Sequence, residues 1–121
     1  MDEAGIADIF AAFGPVRCRR MFGGLGVYAE GVMFALAVED TLYLKADAAL
    51  ATRLAAAGSL IFSYERLGRP VTLGFWSLPE AALDDVDLAA ELAGLAVSLA
   101  HKAAASRRPT RRRVVRNHRA E

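Results

Sequence analysis

The run Gly23-Gly24-Leu25-Gly26 has a composition suited to a ligand, because closely spaced glycines let backbone N–H groups surround a phosphate. Its context is not that of a phosphate loop. No Gly-Lys-Ser/Thr follows, and the run leads into a strand-like segment rather than a helix start. A tight turn requiring positive φ angles accounts for the same glycines, and we favour it. Asp84, Asp85 and Asp87 offer carboxylates for a cation, yet they equally suit the acidic first turn of a helix. His101 and His118 lack the paired spacing of a metal site. Tyr28, Tyr43, Tyr64 and Trp76 suit either a ligand pocket or core and hairpin pairs. Glu65 and Arg66 alternate across a predicted strand as solvated side chains. Cys18, the one cysteine, has no partner for a disulfide and reads as a buried, inert thiol. No nucleophile, base and orienting group assemble, so the sequence predicts no catalytic residue, no cofactor and no metal ligand.

Arginines carry the clearest physical signal. Arg107, Arg108, Arg111, Arg112, Arg113, Arg116 and Arg119 share residues 107–121 with a single acid, Glu121, for a net charge of +6. The remaining residues hold eight basic and thirteen acidic side chains, a net of −5. The formal +1 of the whole chain therefore averages an acidic body with a basic tail. Seven mobile cations suit phosphate backbones, whereas the sparse aromatics there give no basis for reading bases. A solubilising extension, or one that folds back on the acidic body, accounts for the same run. Arg17, Arg19 and Arg20 form a smaller basic group, with Arg17 and Arg19 on one strand face and Arg20 on the other.

These residues must be positioned by one domain, since 121 residues supply one core and little more. Ile6, Ile9, Phe10 and Phe13 share a helix face, ended by Gly14-Pro15. Strands follow at 16–22, 25–28, 32–38 and 41–45, with glycine-containing or acidic turns between them. Both faces of 32–38 are apolar: one should meet helices, and the other is either modestly exposed or covered by a partner subunit. Asp47 caps a helix over 48–57, and strands 61–66 and 71–76 flank a turn at Leu67-Gly68-Arg69-Pro70. Ser77-Leu78-Pro79-Glu80 has capping-box spacing and opens a short helix. Leu88, Leu92, Leu95 and Leu99 form the apolar stripe of a last helix, which His101 and Lys102 close; Pro109 interrupts any continuation. The fold class is α+β, two-layered, with an antiparallel sheet and helices packed on one face.

The run Arg19-Arg20-Met21-Phe22-Gly23-Gly24-Leu25-Gly26-Val27-Tyr28 resembles the opening motif of the TfoX N-terminal domain, the front half of the TfoX/Sxy competence regulators. The resemblance continues through Gly31-Val32-Met33-Phe34-Ala35, Leu42-Tyr43-Leu44-Lys45-Ala46-Asp47, Phe62-Ser63-Tyr64-Glu65-Arg66 and Gly68-Arg69-Pro70-Val71-Thr72. It implies a secretion-chaperone-like α+β fold and kinship with regulators that promote DNA-uptake genes beside a cyclic-AMP-responsive transcription factor. It supplies no catalytic residues. Full-length regulators carry a second, helical domain, to which nothing in this sequence corresponds.

The expectation is thus a TfoX-N-like domain over 1–105 and an arginine-rich, disordered tail over 106–121. The reading is non-enzymatic and cytoplasmic, there being no basic, apolar leader after Met-Asp-Glu. A protein partner, a transcription factor or a second copy, is expected at the body, and DNA at the tail arginines. Arg19, Arg20, Met21, Phe22, Gly23, Gly24 and Tyr28 are the motif residues assigned contact or structural roles. The alternative is a dimeric protein-binding adaptor with no nucleic-acid role, and a small-molecule-binding or enzymatic domain comes third.

Overall fold

A computed structural model describes residues 1–21 and 23–106 in full, and the backbone of 107–116. Phe22 and residues 117–121, with His118 and Arg119 among them, lie outside the described residues. The elements run α1 (Glu3–Ile9), β1 (Arg17–Met21), β2 (Gly24–Ala29), β3 (Val32–Val38), β4 (Thr41–Lys45), α2 (Ala48–Ala56), β5 (Ile61–Arg66), β6 (Arg69–Ser77), α3 (Glu80–Leu83) and α4 (Val86–Arg116). The strands form one antiparallel sheet in the order β1-β2-β3-β4-β6-β5, and the α+β expectation is met.

Local chemistry sets most boundaries. The Oδ1 atoms of Asp2 and Asp47 accept the Gly5 and Leu50 N–H groups, and each caps the helix it precedes. Three strand pairs turn on two residues of positive φ: Glu30-Gly31, Glu39-Asp40 and Leu67-Gly68. Paired left-handed residues match the twist of antiparallel strands, which keeps these hairpins tight. The last hairpin is accordingly shorter than its sequence suggests, with Arg69 and Pro70 already in β6. The capping box at Ser77 does not form. Its Oγ accepts the Leu60 N–H at 2.9 Å instead, and Pro79 begins α3 without a side-chain cap.

Helices cover one face of the sheet. Ile6 and Phe10 of α1 meet Phe34, whose ring lies edge-on to Phe10 with centroids 5.3 Å apart. A bulge in β3 makes this contact: Val27 pairs with Ala35 and Tyr28 with Met33, so Phe34 is the extra residue. Phe34 and Ala35 thereby both join the core beneath the helices.

The stripe that α4 turns to the sheet differs from the leucine stripe in the sequence. Ala89, Ala93, Ala96 and Ala100 are buried, together with Leu92 and Val97, whereas Leu95 is 42% exposed. The core-facing row is displaced by one residue, about 100° around the helix. Methyl side chains let α4 approach β3 and β4 closely, and Leu88 and Leu99 pack at its flanks. The segment Val86–Ser106 is long and apolar enough to cross a membrane by length and composition, as core helices of soluble proteins also are.

The end of α4 also differs. It continues to Arg116 through Pro109, crossing the division expected at 105/106. A proline inside a helix removes one N–H···O bond, but this helix is already nucleated on the sheet and is flanked by alanine and arginine, which favour propagation. His101, expected to close the helix, places Nε2 3.1 Å from Oε1 of Glu30 in the β2–β3 turn.

Ala93 is wholly buried against the sheet, so Ala93→Leu should destabilise the fold by about 1–3 kcal/mol through overpacking. Leu95→Ala should cost well under about 1 kcal/mol, because its side chain is already partly solvated. Urea unfolding followed by far-ultraviolet circular dichroism checks both, and equal costs would contradict the alanine seam.

Candidate functional site

The helix-free face of the sheet holds the most distinctive surface. Antiparallel register places Arg19, Gly26, Leu36 and Tyr43 side by side on this face, across β1 to β4, with Met21 two residues along β1 from Arg19 on the same side. Tyr43 meets Phe62 edge-on at 5.0 Å, and Phe62 meets Tyr64 at 6.1 Å. Met21, Leu36, Val38, Phe62, Tyr64 and Leu73 then line a hollow of about 290 Å³. Its walls come from β1 and β5, the two ends of the strand order, so the sheet bends around it. Leu36 is 3% exposed at its floor although no helix covers it.

The glycine run builds this face rather than a phosphate cradle. Gly23 takes a positive φ in the turn before β2. A Cβ on Gly24 would lie 2.3 Å from the carbonyl oxygen of Ala37, so only glycine lets β2 pair there. A Cβ on Gly26 would fall 2.9 Å from the Met33 sulfur and 3.0 Å from that of Met21, which fill the space above it. The open hollow beside these glycines contains Glu39 and Asp40 as well as Arg20. Asp40 accepts a hydrogen bond from the Met1 ammonium. That bond, and then the ammonium charge, hold its carboxyl below the usual range and raise the amine. Carboxylates at the mouth oppose phosphate there.

The other expected residues separate. Arg19 places its guanidinium 5.8 Å from the Tyr28 ring centroid, and Arg17 pairs directly with Tyr28, so both lie on the helix-free face. Arg20 points to the opposite side, as alternation predicts. Trp76 packs into the helical core, away from Tyr43 and Tyr64, so the aromatic residues do not form one pocket. Cys18 packs beside the core, and burial followed by the Glu3 charge pushes its thiol up, opposite to activation. Asp85 Oδ1 accepts the Asp87 and Leu88 N–H groups at 3.1 Å and caps α4. Among the described residues, no three of His, Cys, Asp or Glu are grouped as a metal site. The motif residue Phe22, the side chains of Arg107, Arg108, Arg111, Arg112, Arg113 and Arg116, and all of Arg119 lie outside the described residues.

The sequence marks β3 as apolar on both faces but does not show Phe62 or Leu73 as neighbours of its second face. Pairing of β4 with β6 spans only Tyr43↔Ser77 to Lys45↔Phe75, so the rest of the β5–β6 hairpin extends beyond β4 as an arm. That arm carries Tyr64, Leu67 and Leu73 exposed, and Leu60 and Ile61 are exposed at its base.

The family model for the TfoX N-terminal domain matches residues 8–100. The chain belongs to the TfoX N-terminal domain family. That match spans β1 to β6 and most of α4, including every residue lining the hollow, and makes this a competence-regulator-like domain. No curated protein matches the sequence.

Gly24→Ala should cost about 1–3 kcal/mol, because its methyl meets rigid backbone. Gly26→Ala should cost less, since the methionine ends that it meets can rotate aside. Denaturant midpoints of the two variants check this, and a larger loss at Gly26 would contradict the account.

Proposed function

We propose that this domain is a non-enzymatic accessory to transcription in the cytoplasm, its body docking to a protein partner while the arginine segment attracts DNA without sequence preference. The observation carrying the reading is the TfoX N-terminal match over residues 8–100, followed from residue 107 by seven arginines. Membership in a family of competence regulators favours a role exercised through contacts with other macromolecules. Six of the seven arginines lie within the bounds of α4, so the helix that seals the core continues into the cationic segment. Phosphate neutralisation needs only such charge, with no base readout. A second reading, a dimeric adaptor without nucleic acid, draws support from the exposed apolar side chains of the β5–β6 arm.

Duplex DNA titrated with the full chain across a salt series should give a log–log slope near −6, from about 0.9 per neutralised phosphate. Changing the seven tail arginines to glutamine should abolish binding at low salt. Undetectable binding by the unaltered chain at low salt would overturn the DNA arm of the proposal, and a dimer in sedimentation would then favour the adaptor.

A further inference from the structure

We propose that the bent, helix-free face of the sheet docks an acidic amphipathic segment of the protein partner, with apolar side chains entering the Met21–Leu36–Tyr64–Leu73 hollow. The inference rests on the reading of the body as a protein-docking domain and assigns it a surface and a ligand chemistry.

Charge is the first support. The body is acidic in sum, yet its two layers differ in sign. The six strands carry six cationic side chains and one carboxylate, Glu65, whereas nine of the body's thirteen carboxylates sit on helices and their caps. Register puts five of those cations on the hollow's side. Arg17 and Arg19 pair with Tyr28 and Gly26. Lys45 follows Tyr43 by two residues and reaches over the Phe75 ring at 5.6 Å. Arg66 follows Tyr64 by two and pairs directly with Arg69. Like charges directly opposite are unfavourable, and among the described residues none of these five forms an ion pair. Glu39 alone brings a carboxylate to the hollow, at one end. At the tip of the arm Leu67 stands 95% exposed at a φ of +55°, between the two unpaired arginines.

The walls discriminate among occupants of this cationic frame. Tyr43 and Phe62 are locked at 65° to one another and do not lie flat as a stacking platform, which disfavours single-stranded nucleic acid. One methionine, two leucines and a valine around the rings form an adaptable apolar surface suited to side-chain insertion. A second copy applied by twofold symmetry would set one cationic face against another. An apolar stripe flanked by carboxylates would set its apolar side chains in the hollow and its carboxylates toward the cations of the same sheet side, as in helix-in-groove recognition.

The test uses the full chain and fluorescence anisotropy with a labelled helical peptide bearing leucines at i, i+3, i+4 and i+7 and glutamates elsewhere. A lysine version of that peptide and an oligothymidylate are the comparison probes. The glutamate peptide should bind and the lysine peptide should not. Arg66→Glu combined with Arg69→Glu, both exposed at the arm tip, should weaken binding at least about 10-fold, and Leu73→Ala should weaken it separately. The seven-arginine-to-glutamine tail variant should lose DNA but keep the peptide, which separates this surface from the DNA reading above. The proposal is overturned by peptide binding that survives the arm substitutions, by peptide binding that disappears with the tail, or by no binding. It is equally overturned if those substitutions abolish oligothymidylate binding instead, or if they dissolve a dimer.

Discussion

The close approach of α4 to the centre of the sheet is the constraint from which the rest of the architecture follows. Ala89, Ala93, Ala96 and Ala100 present almost no side-chain volume, so the helix lies against β3 and β4 with little between them. Bulkier side chains gather at the flanks, where Ile6, Phe10 and Phe34 fill one side and Leu50 and Leu54 contribute from α2, while Leu92 and Val97 are the larger buried residues of α4 itself. The β3 bulge belongs to this arrangement, because strict alternation would send either Phe34 or Ala35 to the other face. All the helical mass is thereby committed to one side. The opposite face keeps its apolar side chains without a covering layer, and the sheet's bend buries Leu36 in place of a helix.

How much of this could be read in the chain depends on the range of the interactions. The cap at Asp47 and strands β3 and β4 are encoded within a few residues, and local reading places them. Ser77 was misread because its hydroxyl has two acceptable donors, and the one chosen, the Leu60 N–H, is seventeen residues away. The leucine stripe of α4 misled for a related reason. Hydrophobic periodicity weights large side chains, whereas a helix packed tightly on a sheet selects small ones at the contact line. The hollow was half legible: β3 announced two apolar faces. That β1 and β5 would close over the second one depends on strand order and bend, which no local spacing records.

The glycine run shows how a motif can be specific to a fold and still say nothing of phosphate. Gly24 and Gly26 are each required by a neighbour close in space, the Ala37 carbonyl and the paired methionine sulfurs. Both neighbours belong to the hydrogen-bonded strands beneath the hollow. The same residues that resemble a nucleotide loop in composition therefore shape the floor of an apolar surface.

Charge completes the argument, because the −5 of the body and the +6 of the segment after it have to be weighed by distance rather than by sum. The last carboxylate on α4 before its arginines is Glu91, and Arg107 follows sixteen residues later. At 1.5 Å per residue the separation along the helix is roughly 24 Å, about three times the screening length near 8 Å at physiological salt. Glu30, held at His101 only six residues before Arg107 on the helix, is the nearer carboxylate. The cationic sheet face, for its part, repels the cationic segment, so the chain's own C-terminal region is the wrong sign to cover it. Of the two cationic regions, the sheet face is the one whose described residues surround an apolar hollow.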